Sequence, residues 1–283
     1  MTTIYPSDPY VQPAEAEQAR KARGLWAWSI LDGILMLVLT IALSLPLLGY
    51  FLYVDGVFNS GIGSPAFNDA LRTTADTIQK QPGRFFAAFA VQELAFVLPV
   101  LLRVVALRRL PLSWLGLTFE RFGRNIGFGV VLGLIAFGCN LILSQLFDRL
   151  GQHPDQAANL FPAIQPGSYG VQALIFLAVA IIAPIVEELV FRGYIFTAWY
   201  ERWGAPVAYL VSALVFAVPH VAEVTQGRVA LLVPIFVIGL LLAWGYHRTR
   251  SLVPNIVAHM INNGVGAVAL LICINVGNAN CTK

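Results

Sequence analysis

The chain has 283 residues, 58% of them hydrophobic and only 12% charged, with a mean hydropathy of +0.72. These values exclude a soluble globular domain of this length and predict an all-α, polytopic integral membrane helical bundle. Lys and Arg number 18 against 15 acids, a net charge of +3, with no basic run or basic-aromatic interleaving, so nucleic acid is excluded as a partner and the positive excess is left to report orientation.

Residues 1–24 are polar, lack the early apolar core of a cleaved signal peptide and are expected to form a disordered tail, with 25–283 as a single transmembrane domain. Apolar stretches long enough to cross a bilayer, roughly 20 residues each, follow at 26–53, 84–106, 126–147, 171–203, 205–222, 229–247 and 252–276. They read as seven spans, and as helices, because in lipid every backbone polar group must be satisfied within the segment. The connections 54–83 (with Gly61, Gly63, Pro65 and Pro82) and 148–170 (with Pro154, Pro162 and Pro166) read as ordinary surface loops, and His153 in the second carries no motif. The tail, the 107–125 loop, the 192–204 stretch and the 248–251 turn hold eleven Lys and Arg against six on the opposite side. That bias puts the N-terminus in the cytoplasm and the C-terminus outside, with a bacterial inner or plasma membrane as the expected location. Cys139, Cys273 and Cys281 have no metal-type spacing and are not expected to build a disulfide framework; the first two are expected as free thiols in apolar segments.

An ionisable side chain at bilayer depth costs at least about 2.5 to 3.5 kcal/mol on insertion scales, so intramembrane charges mark functional candidates. Three clusters qualify: Glu187, Glu188 and Arg192; His220; and His259 with Asn263. Glu188 and Arg192 are an i, i+4 pair with the acid first and can neutralise each other. Glu187 is rotated about 100° from Glu188 on a helix, so Arg192 does not easily serve both. His259 and Asn263 are also i, i+4, an imidazole and an amide on one face. A reversal at Gly204-Ala205-Pro206 puts Glu187 and His220 each about 24 Å from the turn, on antiparallel neighbours at matched depth. His259 lies nearer its own turn at Arg250-Ser251, so either its helix begins deeper or the first hairpin projects. Of the remaining charges, Asp32 and Arg103 are expected near segment ends, and His247 as an edge cation beside Arg248. Glu93, nearly mid-span, either lines the same cavity or pairs with Arg103 or another helix.

A buried carboxylate beside an imidazole, with a second imidazole and an amide opposite, has the parts of a water-activating hydrolase. The same Glu187, His220 and His259 could instead hold a divalent metal such as zinc with an open position for water. The spacing leaves both open.

The order of these motifs carries a resemblance. Glu187-Glu188-Leu189-Val190-Phe191-Arg192 resembles an EExxxR motif, Phe216 to His220 an FxxxH motif and His259 to Asn263 an HxxxN motif, in the order found in the type II CAAX prenyl endopeptidases and their bacterial relatives, the CPBP intramembrane protease family. The resemblance covers about 170–270, the expected catalytic core. It implies Glu187 as the base activating water with His220, with His259 and Asn263 stabilising the oxyanion and Glu188 and Arg192 in support. It further implies a cavity open toward the cytoplasm and cleavage of a peptide bond in a membrane-associated peptide or protein, of CAAX type or in bacteriocin or leader-peptide processing. The contrasting expectation is a non-catalytic immunity or scaffold protein, or a small transporter, using the same cluster to bind. The absence of paired Gly/Pro-broken helices weighs against transport.

Overall fold

The computed structural model describes residues 13–152, 164–223 and 228–277. The described residues form α1 (Pro13–Ala22), α2 (Leu25–Val54), α3 (Pro65–Lys80), α4 (Pro82–Leu107), α5 (Phe122–Arg149), α6 (Tyr169–Trp203), α7 (Ala205–Ala217), α8 (Arg228–Thr249) and α9 (Val253–Val276). This is the polytopic helical membrane architecture that composition predicted. Large apolar side chains such as Leu31, Ile34, Leu37 and Ile41 on α2 face outward, as lipid rather than water requires.

The span count differs from expectation. Among the described residues six helices, α2, α4, α5, α6, α8 and α9, are long and apolar enough to cross a membrane, and the expected span 205–222 is a shorter helix. The α-helical part of α7 has 13 residues, about 20 Å at the usual rise and too short for a bilayer core. It passes into a 3-10 turn at Val218–Glu223, where Pro219 has no N–H to continue the ladder. The reversal between α6 and α7 does fall at Gly204, which takes φ 77°, a conformation open to glycine.

Two segments read as irregular are partly helical. Pro13–Ala22, inside the expected disordered tail, forms α1 and buries Ala22; residues 1–12 lie outside the described residues. The 54–83 connection holds α3, whose N-cap Ser64 accepts from Phe67 N at 3.0 Å ahead of Pro65, a start signal the sequence displays. Asp55 at the end of α2 clamps this corner, accepting from Arg84 Nη1 at 2.7 Å and from the Thr74 hydroxyl at 2.8 Å. Within the 148–170 connection, residues 153–163, with His153, lie outside the described residues. Cys139 is free, but Cys273 is disulfide-bonded rather than the free thiol expected, with its partner outside the described residues.

Asp32 and Arg103 are not interfacial. Asp32 is 1% exposed and accepts from Arg103 Nη2 at 2.8 Å, Arg103 Nε at 3.0 Å and the Tyr194 hydroxyl, joining α2, α4 and α6 through one carboxylate. The i, i+4 logic of sequence could not supply this pairing, because all three residues lie on different helices.

Close backbone approach sets the far side of the bundle. A Cβ at Gly129 of α5 would stand 2.6 Å from Pro254 O, and one at Gly133 would stand 3.0 Å from Ala258 Cα, so glycine brings α9 against α5. Gly239 of α8 meets Ala213 of α7 in the same way, its missing Cβ 3.0 Å from Ala213 Cα. The turn into α9 is buried: Leu252 N donates to Gly116 O at 2.8 Å, and the Ser251 hydroxyl to Thr118 O at 3.1 Å. Leu252 also packs beside Gly193 of α6, ten residues before the exposed Trp203. Both alternatives raised for the depth of His259 therefore hold: α9 begins deep, and the α6–α7 hairpin extends past it.

Candidate active site

The acids sit on a short regular stretch of α6. Ala183–Glu188 is α-helical, flanked by π-helical turns at Ala178–Ile182 and Leu189–Phe196, the irregularity that recurs at functional sites. Glu188 is wholly enclosed, with Arg192 Nη1 2.7 Å from its Oε1 and both side chains 0% exposed. Arg192 is held further by Gly239 O, which accepts from Nη2 at 3.2 Å, and by the Phe216 ring 4.3 Å below its guanidinium carbon. The pair that sequence spacing proposed is thus formed and completely dry. Breaking such a pair by removing one partner is costly because the other charge stays buried.

Glu188 collects two further donors from α9. His259 Nδ1 lies 3.0 Å from Glu188 Oε1, and Asn255 Nδ2 lies 3.2 Å from Oε2. The ionised acceptor can only receive, which fixes the proton on His259 Nδ1 and leaves Nε2 as the working nitrogen. That Nε2 stands 3.7 Å from Glu187 Oε2, too long for a direct hydrogen bond but short enough for one water to touch both at about 2.8 Å. The Glu187 side chain is 15% exposed, so the two adjacent acids occupy opposite circumstances.

Phe216 links the third motif. Its ring stands 5.6 Å from that of His259 and 5.5 Å from that of His220, and its carbonyl accepts from His220 Nδ1 at 3.1 Å. Asn263 is anchored to α6, donating to Val179 O at 3.1 Å, while Asn262 Nδ2 donates to Asn263 Oδ1 at 3.2 Å. Asn262 thus helps to hold Asn263 in place. Sequence reasoning missed Asn255, which is 0% exposed and also donates to Leu242 O at 2.6 Å. The available signal was its position one turn before His259.

Among the described residues no group of three or more His, Cys, Asp or Glu side chains is arranged to hold a metal ion, and His259 Nδ1 is engaged by Glu188.

Fold and site together define an integral membrane protein with a cluster of charged and polar side chains buried among its helices. Residues 169–265 match the Rce1-like family of type II CAAX prenyl endopeptidases, and this segment contains all the motif residues. The UPF0177 protein YxdF of Lactococcus lactis subsp. lactis (strain IL1403) is 30% identical over 90 residues, 32% of this chain and 46% of that protein; the chain thus spans about half the length of this curated relative. No solved structure matches.

Proposed function

We propose that this protein is an intramembrane endopeptidase that hydrolyses a peptide bond of a membrane-associated peptide or protein, CAAX-type substrates and bacteriocin or leader peptides being the candidate classes. The observation that carries the reading is the division of labour between two neighbouring acids: Glu188 is sealed and neutralised by Arg192, while Glu187 keeps 15% exposure and faces His259 Nε2.

In this reading Glu187 is the general base. A water bridging Glu187 and His259, with His220 as the second imidazole, gives its proton to Glu187 as its oxygen bonds to the scissile carbonyl carbon. The carbonyl electrons move onto oxygen, where a free N–H of the Asn263 amide, whose other donor holds Val179, and His259, which as the imidazolium donates from Nε2 as well as from Nδ1, stabilise the negative charge. Glu187 then returns the proton to the amide nitrogen as the C–N bond breaks, and the products leave as a carboxylic acid and an amine. Only side chains and water take part. The N-terminus lies in the cytoplasm, on the side richer in Lys and Arg, and the membrane is a bacterial inner or plasma membrane.

The test is cleavage of a fluorogenic membrane-peptide library by purified wild-type and Glu187→Gln protein, each with and without a strong chelator. Cleavage that disappears on substitution but survives chelation supports the glutamate-activated water. Loss with chelator would point to a bound metal. Equal cleavage by both proteins would sink the mechanism and favour a protein that uses the cluster only to bind.

A further inference from the structure

Glu93 on α4 is an acid the mechanism above does not use. It is 7% exposed, and its Oε2 is buried without a hydrogen-bond partner. Arg103, the partner that sequence offered, is committed to Asp32. A carboxyl buried unpaired in a membrane span is expensive, and such a group is retained where something else supplies the donor.

The helix phases place it. Leu94, Leu98 and Leu102 are about half exposed and mark the lipid face of α4, whereas Glu93, Phe96 and Val100 turn inward. The Phe96 ring meets the Phe191 ring of α6 at 6.3 Å, and further along both helices Arg103 and Tyr194 meet on Asp32, so α4 and α6 run parallel. Glu93 precedes its ring contact by three residues and Glu187 precedes its own by four, which sets the two carboxyls within about 1.5 Å of the same level along the helix axes. α4 packs against the α6 turn that carries Glu187. At this level Glu93 adds an acid whose Oε2 has no donor, and Arg192 is already paired with Glu188.

Resting on the reading of this cluster as a peptidase site, the geometry points to Glu93 as a specificity residue: its carboxyl receives the ammonium or guanidinium of a Lys or Arg side chain near the scissile bond of the substrate. A charge-assisted pair in an apolar wall is the strongest contact a carboxyl there can make. The remaining carboxyl, Glu187, is left to the water.

The experiment uses two sets of fluorescent, membrane-inserting peptides that differ only in one Lys or one norleucine, moved along the sequence. Binding is read by anisotropy on full-length Glu187→Gln protein in nanodiscs, which needs no turnover, and cleavage is read separately on the wild type. At one or two positions the Lys peptide is expected to bind about tenfold more tightly than its norleucine twin. Adding Glu93→Gln should bring the ratio to about one, and Glu93→Asp should restore part of it. Removing an unpaired buried carboxyl lowers no contact that holds the fold, so Glu93→Leu serves as a second, stably folded variant. No preference at any position, or a preference that survives Glu93→Gln and Glu93→Leu, overturns the inference. A Lys preference that depends on Glu93 without any Glu187-dependent cleavage would keep the subsite and overturn the peptidase reading instead.

Discussion

Arg192 and Glu188 form an ion pair from which water is wholly excluded, Nη1 to Oε1 at 2.7 Å with neither side chain exposed. The pair is also the point where α6, α8 and α9 meet, since Gly239 O, His259 and Asn255 all bond to it. Arg192→Ala should therefore destabilise the protein by about 3 to 5 kcal/mol, the cost of stranding a buried carboxylate. Thermal unfolding in detergent is the check. The Glu188→Gln, Arg192→Met double variant should lose less than the sum of the two single changes.

Glu187→Gln is expected to behave differently. Glutamine keeps the shape and hydrogen-bonding reach of the side chain, which stands 3.7 Å from His259 Nε2, so the Tm should stay near wild type while cleavage falls by about 10²-fold or more, the usual scale for losing a general base. Parallel loss of stability would place Glu187 among the residues that hold the fold.

Asn255→Ala leaves Leu242 O and Glu188 Oε2 each one donor short. Stability should fall by about 1 to 3 kcal/mol. Cleavage should fall with it, since His259 and Glu188 lose the amide that holds them in register. Unfolding and turnover measured on the same preparation separate the two effects.

Gly129→Ala tests the packing that delivers α9 to the site. A Cβ there meets Pro254 O at 2.6 Å, and neither backbone can yield without moving α9, so a cost of about 1 to 3 kcal/mol is expected. Gly127→Ala, with open space around it, is the matched control and should be near neutral.

The Asp55 clamp gives a pH dependence. Hydrogen bonding from Arg84, and then from Thr74, lowers the Asp55 pKa from 3.8 to about 2. A depressed pKa in the folded state stabilises at pH values above the ordinary one and ceases to do so as pH falls through the folded value. The corner of α2, α3 and α4 should therefore loosen between about pH 4 and pH 2. A spin label at exposed Asn68 on α3 should gain mobility in that window, and in Asp55→Asn protein it should be mobile at both ends.

Sequence was most informative where the physics is local. The Glu188–Arg192 pair and the reversal at Gly204 follow from helix geometry and the cost of charge in lipid, whereas helix rise matched Glu187 with His220 and left the depth of His259 open. Pairings between distant helices were hidden: nothing in the spacing joins Asp32 to Arg103 and Tyr194, and end effects made both charges look interfacial. Asn255 was hidden because its partners, Glu188 and Leu242, lie on other helices. The α3 helix was legible in Ser64-Pro65 but was masked by the glycines around it. The shortness of α7 turned on Pro219, which lies inside an otherwise apolar run.

Within seven residues α6 carries two fastenings that point to different parts of the molecule: Glu188 and Arg192 toward α8 and α9, and Tyr194 toward Asp32 on α2. Sliding α6 by a single turn would unseat both at once. The helix thus acts as a fixed post, and any rearrangement of the bundle falls to the helices around it.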